Sequence, residues 1–126
     1  MRRRQIAATY GKAFANQTAL EQPVERPDCV SAWHLYVIKL KLEHLKVGRD
    51  RVFEALRAEN IGVNVHYIPI PWMSHYASLG YVKGNWPVAE GAYERIISLP
   101  IYPSMTDQDI SDVVTAVNKV LKAYIC

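Results

Sequence analysis

The chain has 126 residues, half of them hydrophobic and 21% charged, with a formal net charge of +3. That length fits one domain with a sizeable core, and the composition excludes a disordered chain. So mild a charge gives no reason to invoke nucleic acid, and no apolar run reaches the length of a membrane span or a signal-peptide core.

Met1 to Leu20 reads as a helix with Ile6, Tyr10, Ala13, Phe14 and Gln17 on one face. Its start is poorly made. Arg2, Arg3 and Arg4 stand where the helix dipole favours negative charge, and no Ser, Thr, Asp or Asn precedes them as a cap. Three readings stay open: the interior of a longer helix in a larger protein, a phosphate-binding basic patch, or a solvated charged end. Glu21 to Ser31, with Pro23 and Pro27, reads as a connector. Trp33 to Leu42 follows as a strand, with Trp33, Leu35 and Val37 on one face and His34, Tyr36 and Ile38 on the other. Glu43 to Gly48 is a loop. Arg49 to Asn60 is a second helix that turns Val52, Phe53 and Leu56 inward.

Asn60 to Pro71 is the stretch on which function centres. Asn60 and Gly62 suit the left-handed stop of a helix. Val63 and Val65 alternate with Asn64 as in a strand, which predicts a βαβ unit with parallel strands and a right-handed crossover. His66 and Tyr67 then arrive at the strand end. Pro69 and Pro71 cannot donate to a sheet ladder, so pairing is lost there and a stiff loop presents the two polar rings. The competing reading is a half-buried His-Tyr pair satisfied by nearby backbone.

Met73 to Leu79 reads as a short helix ended by Gly80. Asn85 is the expected N-cap of the next helix, which has Pro87 in its first turn, runs to about Ile97, and places Val88, Ala92, Tyr93 and Ile96 on one face. Ser98 to Pro103 is too rich in proline for a central strand and suits a short edge strand. Thr106-Asp107-Gln108-Asp109 resembles a capping box. It opens a helix whose stripe is Ile110, Val113, Val114, Val117, Val120, Leu121 and Tyr124. The expected class is α+β or α/β, a small sheet with helices packed on it.

The chemistry is sparse. His34, His44, His66 and His75 lie at no metal-site spacing to one another or to Cys29 and Cys126, so no metal site is expected. Those two cysteines form no disulfide framework and suit a reducing compartment. There is no nucleophile elbow, phosphate loop or dinucleotide fingerprint. The residues alone describe a scaffold with a ligand rim and no self-contained catalytic set.

Five segments, in this order, carry a family likeness. They are Ser31-Ala32-Trp33-His34-Leu35-Tyr36-Val37, Gly62-Val63-Asn64-Val65-His66-Tyr67-Ile68-Pro69, Leu79-Gly80-Tyr81, Trp86-Pro87-Val88-Ala89-Glu90 and Ser98-Leu99-Pro100-Ile101-Tyr102-Pro103. Together they resemble the C-terminal small domain of the DegT/DnrJ/EryC1/StrS sugar aminotransferases, a fold type I family dependent on pyridoxal 5'-phosphate. The opening Arg-Arg-Arg-Gln-Ile-Ala-Ala-Thr-Tyr resembles the long helix that links that family's large and small domains. The nearest likeness is to the branch that aminates UDP-4-keto-6-deoxy-N-acetylhexosamines towards pseudaminic acid. Two stretches depart from it: Trp72-Met73-Ser74-His75 replaces a Gln-Pro-Tyr-Tyr-like run, and Asn85-Trp86 stands where Asp-Phe is common.

The resemblance implies a connecting helix over 1–22 and a small domain over 23–126, with the cofactor-binding large domain lying before Met1. Pyridoxal phosphate would belong to the complete, cytoplasmic, homodimeric enzyme, which takes an amino group from glutamate to a UDP-linked keto sugar. No cofactor, metal or catalytic residue is assigned to this chain, and no nucleic acid or membrane partner is expected. By the family's His-Tyr-x-Pro motif, His66 and Tyr67 would reach the nucleotide sugar, with His34 as a weaker candidate. The rival from another class is a free-standing binding domain that kept the fold without the chemistry. A third reading, nucleic-acid binding through Arg2 to Arg4, requires affinity that falls steeply with salt.

Overall fold

The computed structural model describes residues 1–126. The elements are α1 (Arg2–Ala13), β1 (Leu20–Glu21), β2 (Tyr36–Leu40), α2 (Arg49–Ala58), α3 (Ser74–Ser78), α4 (Pro87–Tyr93), β3 (Ile96–Leu99) and α5 (Asp107–Tyr124), with 3-10 turns at Leu42–His44 and Ile70–Trp72. The strands form one sheet in the order β1-β2-β3. Both pairings are antiparallel, with Leu20 opposite Leu40 and Tyr36 opposite Leu99.

The architecture is therefore α+β, and the expected parallel βαβ unit is not formed. The Val63–Val65 stretch that follows α2 makes only one antiparallel bridge, Asn64 to Ser98. Its two hydrogen bonds, Asn64 N–H to the Ser98 carbonyl and Ser98 N–H to the Asn64 carbonyl, are 3.2 and 2.8 Å long. The Asn64 side chain accepts from the next N–H, that of Val65, at 2.7 Å. Pro69 and Pro71 bring no donors, so no ladder forms beyond the bridge.

One sheet face makes the core. Side chains alternate along a strand, so Tyr36, Ile38 and Leu40 point the same way, and all three are buried. With Ile97 and Leu99 they join Ile6 and Tyr10 of α1, Val52 and Leu56 of α2, and the α5 stripe from Ile110 to Leu121 in one cluster. The expected inward positions of α2 and α5 are largely observed. Phe53 is half-buried, and Ala116 joins the α5 face. The polar ends of the core tyrosines are bonded. Tyr10 donates to the Pro100 carbonyl at 2.8 Å, and Tyr36 to Gln22 Oε1 at 3.0 Å. Their rings meet edge to face at 5.0 Å. Burial pushes the Tyr36 hydroxyl up to about 12, and burial with neighbouring charge raises Tyr10 further.

The helix ends differ from the sequence reading for local reasons. α1 stops at Ala13, well short of Leu20, because Leu20 is drawn into pairing with Leu40. Phe14 still packs into the core. β2 begins at Tyr36 rather than Trp33, since Trp33 takes a left-handed φ of 49° and lays its ring 5.6 Å from that of Tyr36. Of the two expected left-handed stops only Asn60 is used, with φ 62°. α4 is capped by Trp86, not Asn85, and ends at Tyr93. No side chain caps its start; the Glu90 carboxylate instead accepts from Gly84 N–H, in the turn before the helix, at 2.8 and 2.9 Å. Ile96 leaves the helix for β3. The capping box of α5 is present: Thr106 Oγ1 accepts from Asp109 N–H at 3.1 Å, and Asp109 Oδ2 accepts from Thr106 N–H at 2.7 Å.

Candidate functional site

The second sheet face carries the candidate site. Ser98 lies opposite Val37 on β2 and opposite Asn64 at the bridge. It is the one buried polar residue of the chain. Its Oγ lies 2.9 Å from His66 Nδ1. His66 is half-buried, whereas Tyr67 is 71% exposed. The two rings meet edge to face at 4.7 Å, across a cis peptide bond. Thus the strand-end residues arrive as a tethered imidazole beside a projecting phenol. Pro69 is buried behind them, and its carbonyl accepts from Trp72 N–H at 2.8 Å to open the 3-10 turn.

The loop is braced from the far side by rings and cations in alternation. Arg49, the first residue of α2, sets its guanidinium 5.2 Å from the centre of the Tyr93 ring. Tyr93 meets Trp72 edge to face at 5.5 Å, and the Lys83 ammonium lies 3.8 Å over Trp72. Each such contact contributes on the order of 0.5–1.5 kcal/mol. Further out, Tyr81 stacks on Trp86 at 5.3 Å. Partial desolvation raises the Glu90 carboxyl, but hydrogen bonds led by Gly84 N–H, together with the Lys83 charge, outweigh it and leave its pKa lowered. This arm, residues 67–88, exposes Ile68, Ile70, Met73, Leu79, Val82 and Val88.

The other histidines are not brought to this rim. His34 is exposed before β2 and makes no hydrogen bond within the chain. His44 donates from Nδ1 to the Thr18 carbonyl at 3.0 Å, and His75 stands edge to face with Tyr76 at 5.4 Å. Ser98 escaped sequence reasoning because its register on β3 and its contact with residue 66 are long-range. The signal that could have found it is a lone serine in an otherwise apolar Ile96–Leu99 run. At the first helix, Arg2 bonds the Met105 carbonyl at 2.8 Å and Asp107 at 2.7 Å, and Arg4 bonds the Ser31 carbonyl at 3.2 Å. A cleft of about 420 Å³ lies between the end of α2 and the start of α5, bordered by Glu59, Asp109 and Asp112, and includes none of the rim residues.

No group of three potential metal ligands is gathered anywhere in the chain. The lysines do not fit a pyridoxal phosphate cradle: Lys41 is half-buried and the rest are exposed. Lys39 and Lys119 are paired with Glu21 and Glu59, and Lys83 is spent on Trp72.

A three-stranded antiparallel sheet, covered on one face by helices and presenting the His66–Tyr67 pair on the other, defines a small α+β domain. The chain belongs to the DegT/DnrJ/EryC1/StrS aminotransferase family, whose model matches residues 1–118. It is 45% identical over 121 residues to the uncharacterized protein MJ1066 of Methanocaldococcus jannaschii, covering 95% of this chain and 31% of that protein. It is 40% identical over 123 residues to the spore coat polysaccharide biosynthesis protein SpsC of Bacillus subtilis, covering 96% of this chain and 32% of that one. Among solved structures it resembles the PLP-form of a sugar aminotransferase, Spr1654 of Streptococcus pneumoniae, with TM-score 0.85 and 27% identity over 97% of this chain and 31% of that chain. It also shares the fold of Helicobacter pylori PseC, an aminotransferase of pseudoaminic acid biosynthesis, with TM-score 0.87 and 24% identity over 97% of this chain and 32% of that chain. The chain spans about a third of the length of the relatives it matches. No helix is long and apolar enough to cross a membrane.

Proposed function

We infer that this chain is the substrate-closing small domain of a nucleotide-sugar aminotransferase. The complete enzyme would be cytoplasmic and homodimeric. It would use pyridoxal phosphate held outside residues 1–126 to move an amino group from glutamate to a UDP-4-keto-6-deoxy-hexosamine. Residues 1–22 would connect this domain to the cofactor-binding one. The finer assignment is the UDP-4-amino-4,6-dideoxy-N-acetyl-beta-L-altrosamine transaminase reaction, supported by the ordered motifs from Ser31 to Pro103. The observation that carries the reading is the His66–Tyr67 rim, with one ring held by Ser98 and the other projecting into open space. His66 and Tyr67 would contact the sugar nucleotide, and His34, exposed and unbonded, would be a secondary contact.

The test is His66→Ala in the complete enzyme. Loss of one substrate hydrogen bond should lower kcat/KM for the keto sugar by on the order of tenfold, with bound cofactor unchanged by its absorbance. Equal loss of cofactor, or unchanged kcat/KM, defeats the assignment. The exposed apolar arm favours one rival, a free-standing interaction domain without turnover. Binding of UDP-sugars by the native protein with no amino transfer to a keto sugar would establish that rival.

A further inference from the structure

Ser98 is enclosed in a sheet whose other inward or covered side chains are apolar, so its hydroxyl needs a partner. His66 Nδ1, at 2.9 Å, is the only group to which that hydroxyl is hydrogen-bonded. Ser98 N–H and carbonyl are both used in the bridge to Asn64. Two arrangements of the hydrogen are open to a neutral imidazole. If Nδ1–H donated to Oγ, the serine hydrogen would be left buried with nothing to accept it, the costly case for a polar group. If Ser98 O–H donates to a bare Nδ1, both atoms are satisfied and the ring proton sits on Nε2.

The geometry points to Ser98 as a positioning residue that fixes His66 in the Nε2–H tautomer, so that the rim offers a hydrogen-bond donor to an oxygen acceptor of the ligand rather than a base for its protons. The ligand groups that suit it are a diphosphate oxygen or a sugar carbonyl. The substrate side of this inference rests on the proposed role of His66, but the tautomer does not.

The experiment is a long-range proton–nitrogen correlation spectrum of the 126-residue chain with labelled histidine, which reads the protonation of each ring nitrogen directly. The expected result is a bare Nδ1 and a protonated Nε2 for His66 in the wild type. Ser98→Ala should let the Nδ1–H form appear, and Ser98→Thr, which keeps the hydroxyl, should restore the single tautomer. A wild-type spectrum dominated by Nδ1–H overturns the inference, as does a tautomer that Ser98→Ala leaves unchanged. Should Ser98→Ala fail to fold, the wild-type spectrum decides alone. In the complete enzyme, Ser98→Ala should raise KM for the sugar nucleotide about fivefold with bound cofactor unchanged. Adding it to His66→Ala should cost nothing more, because the two residues act as one unit. Additive losses would overturn the positioning role. A wrong tautomer sinks this inference and leaves the substrate role of His66 standing. A silent His66→Ala in turnover sinks the substrate role and leaves the tautomer standing.

Discussion

The two faces of β3 meet different surroundings. On the core side, Ile97 and Leu99 pack with α1, α2 and α5, where even the tyrosine hydroxyls are bonded and α5 begins in a full capping box. Towards the rim, the chain from Tyr67 to Val88 has two helical pieces of one turn each, exposed aliphatic side chains, and a brace of rings and cations in place of a packed layer. The first region is held by burial of apolar area and by local signals that agree with each other. The second is held by a few directional ring and cation contacts, of which Arg49 over Tyr93 reaches α2, and by the Asn64 bridge. Stability is therefore concentrated away from the His66–Tyr67 rim, as expected where a rigid scaffold presents a loop.

That contrast can be broken by substitution. The largest effect is expected for Leu121→Ala, which empties a fully buried position in α5 and should destabilise the fold by about 3 kcal/mol in denaturant titration. Trp72→Ala should cost about 2 kcal/mol, and its loss should be local. Amide exchange should quicken across 74–93 while α5 stays protected. Uniform loss of protection would mean that the arm and core form one cooperative unit. The buried tyrosines give a pH test. Their folded pKa values lie above the ordinary value of about 10, so the stability they add is full below pH 10 and falls as pH rises through about 12 for Tyr36. Tyr36→Phe should flatten that alkaline decline, and an unchanged profile would place the alkaline transition elsewhere.

Thr106→Ala should cost about 1 kcal/mol through loss of the α5 cap, read as a shift of the unfolding midpoint. The Asp109 carboxyl is held below its ordinary range by Thr106 N–H and then by the Thr106 hydroxyl. Its stabilising share is present at neutral pH and lost as pH falls through the lowered value. Smallest of all, Leu79→Ala on the exposed arm should stay within about 0.5 kcal/mol. A cost like that of Leu121→Ala would show that something covers the arm in solution.

The sequence by itself determined the elements whose signals are local. The α5 stripe and its Thr106–Asp109 cap, the inward face of α2 and the breaking effect of Pro69 and Pro71 follow from 3.6-residue periodicity, capping chemistry and missing donors. The ordered motifs were also enough to point to the family. What only the tertiary structure decided is pairing. A strand pattern does not name its partner: Leu20 reads as the end of a helix and Glu21 as connector, yet both pair with β2, and the expected parallel strand at Val63–Val65 is one antiparallel bridge. The same long-range register put Ser98 under His66 and left His34 apart. Residues 66 and 98 meet because the Asn64 bridge sets the chain against the outer edge of β3, a contact that no periodicity within either segment encodes.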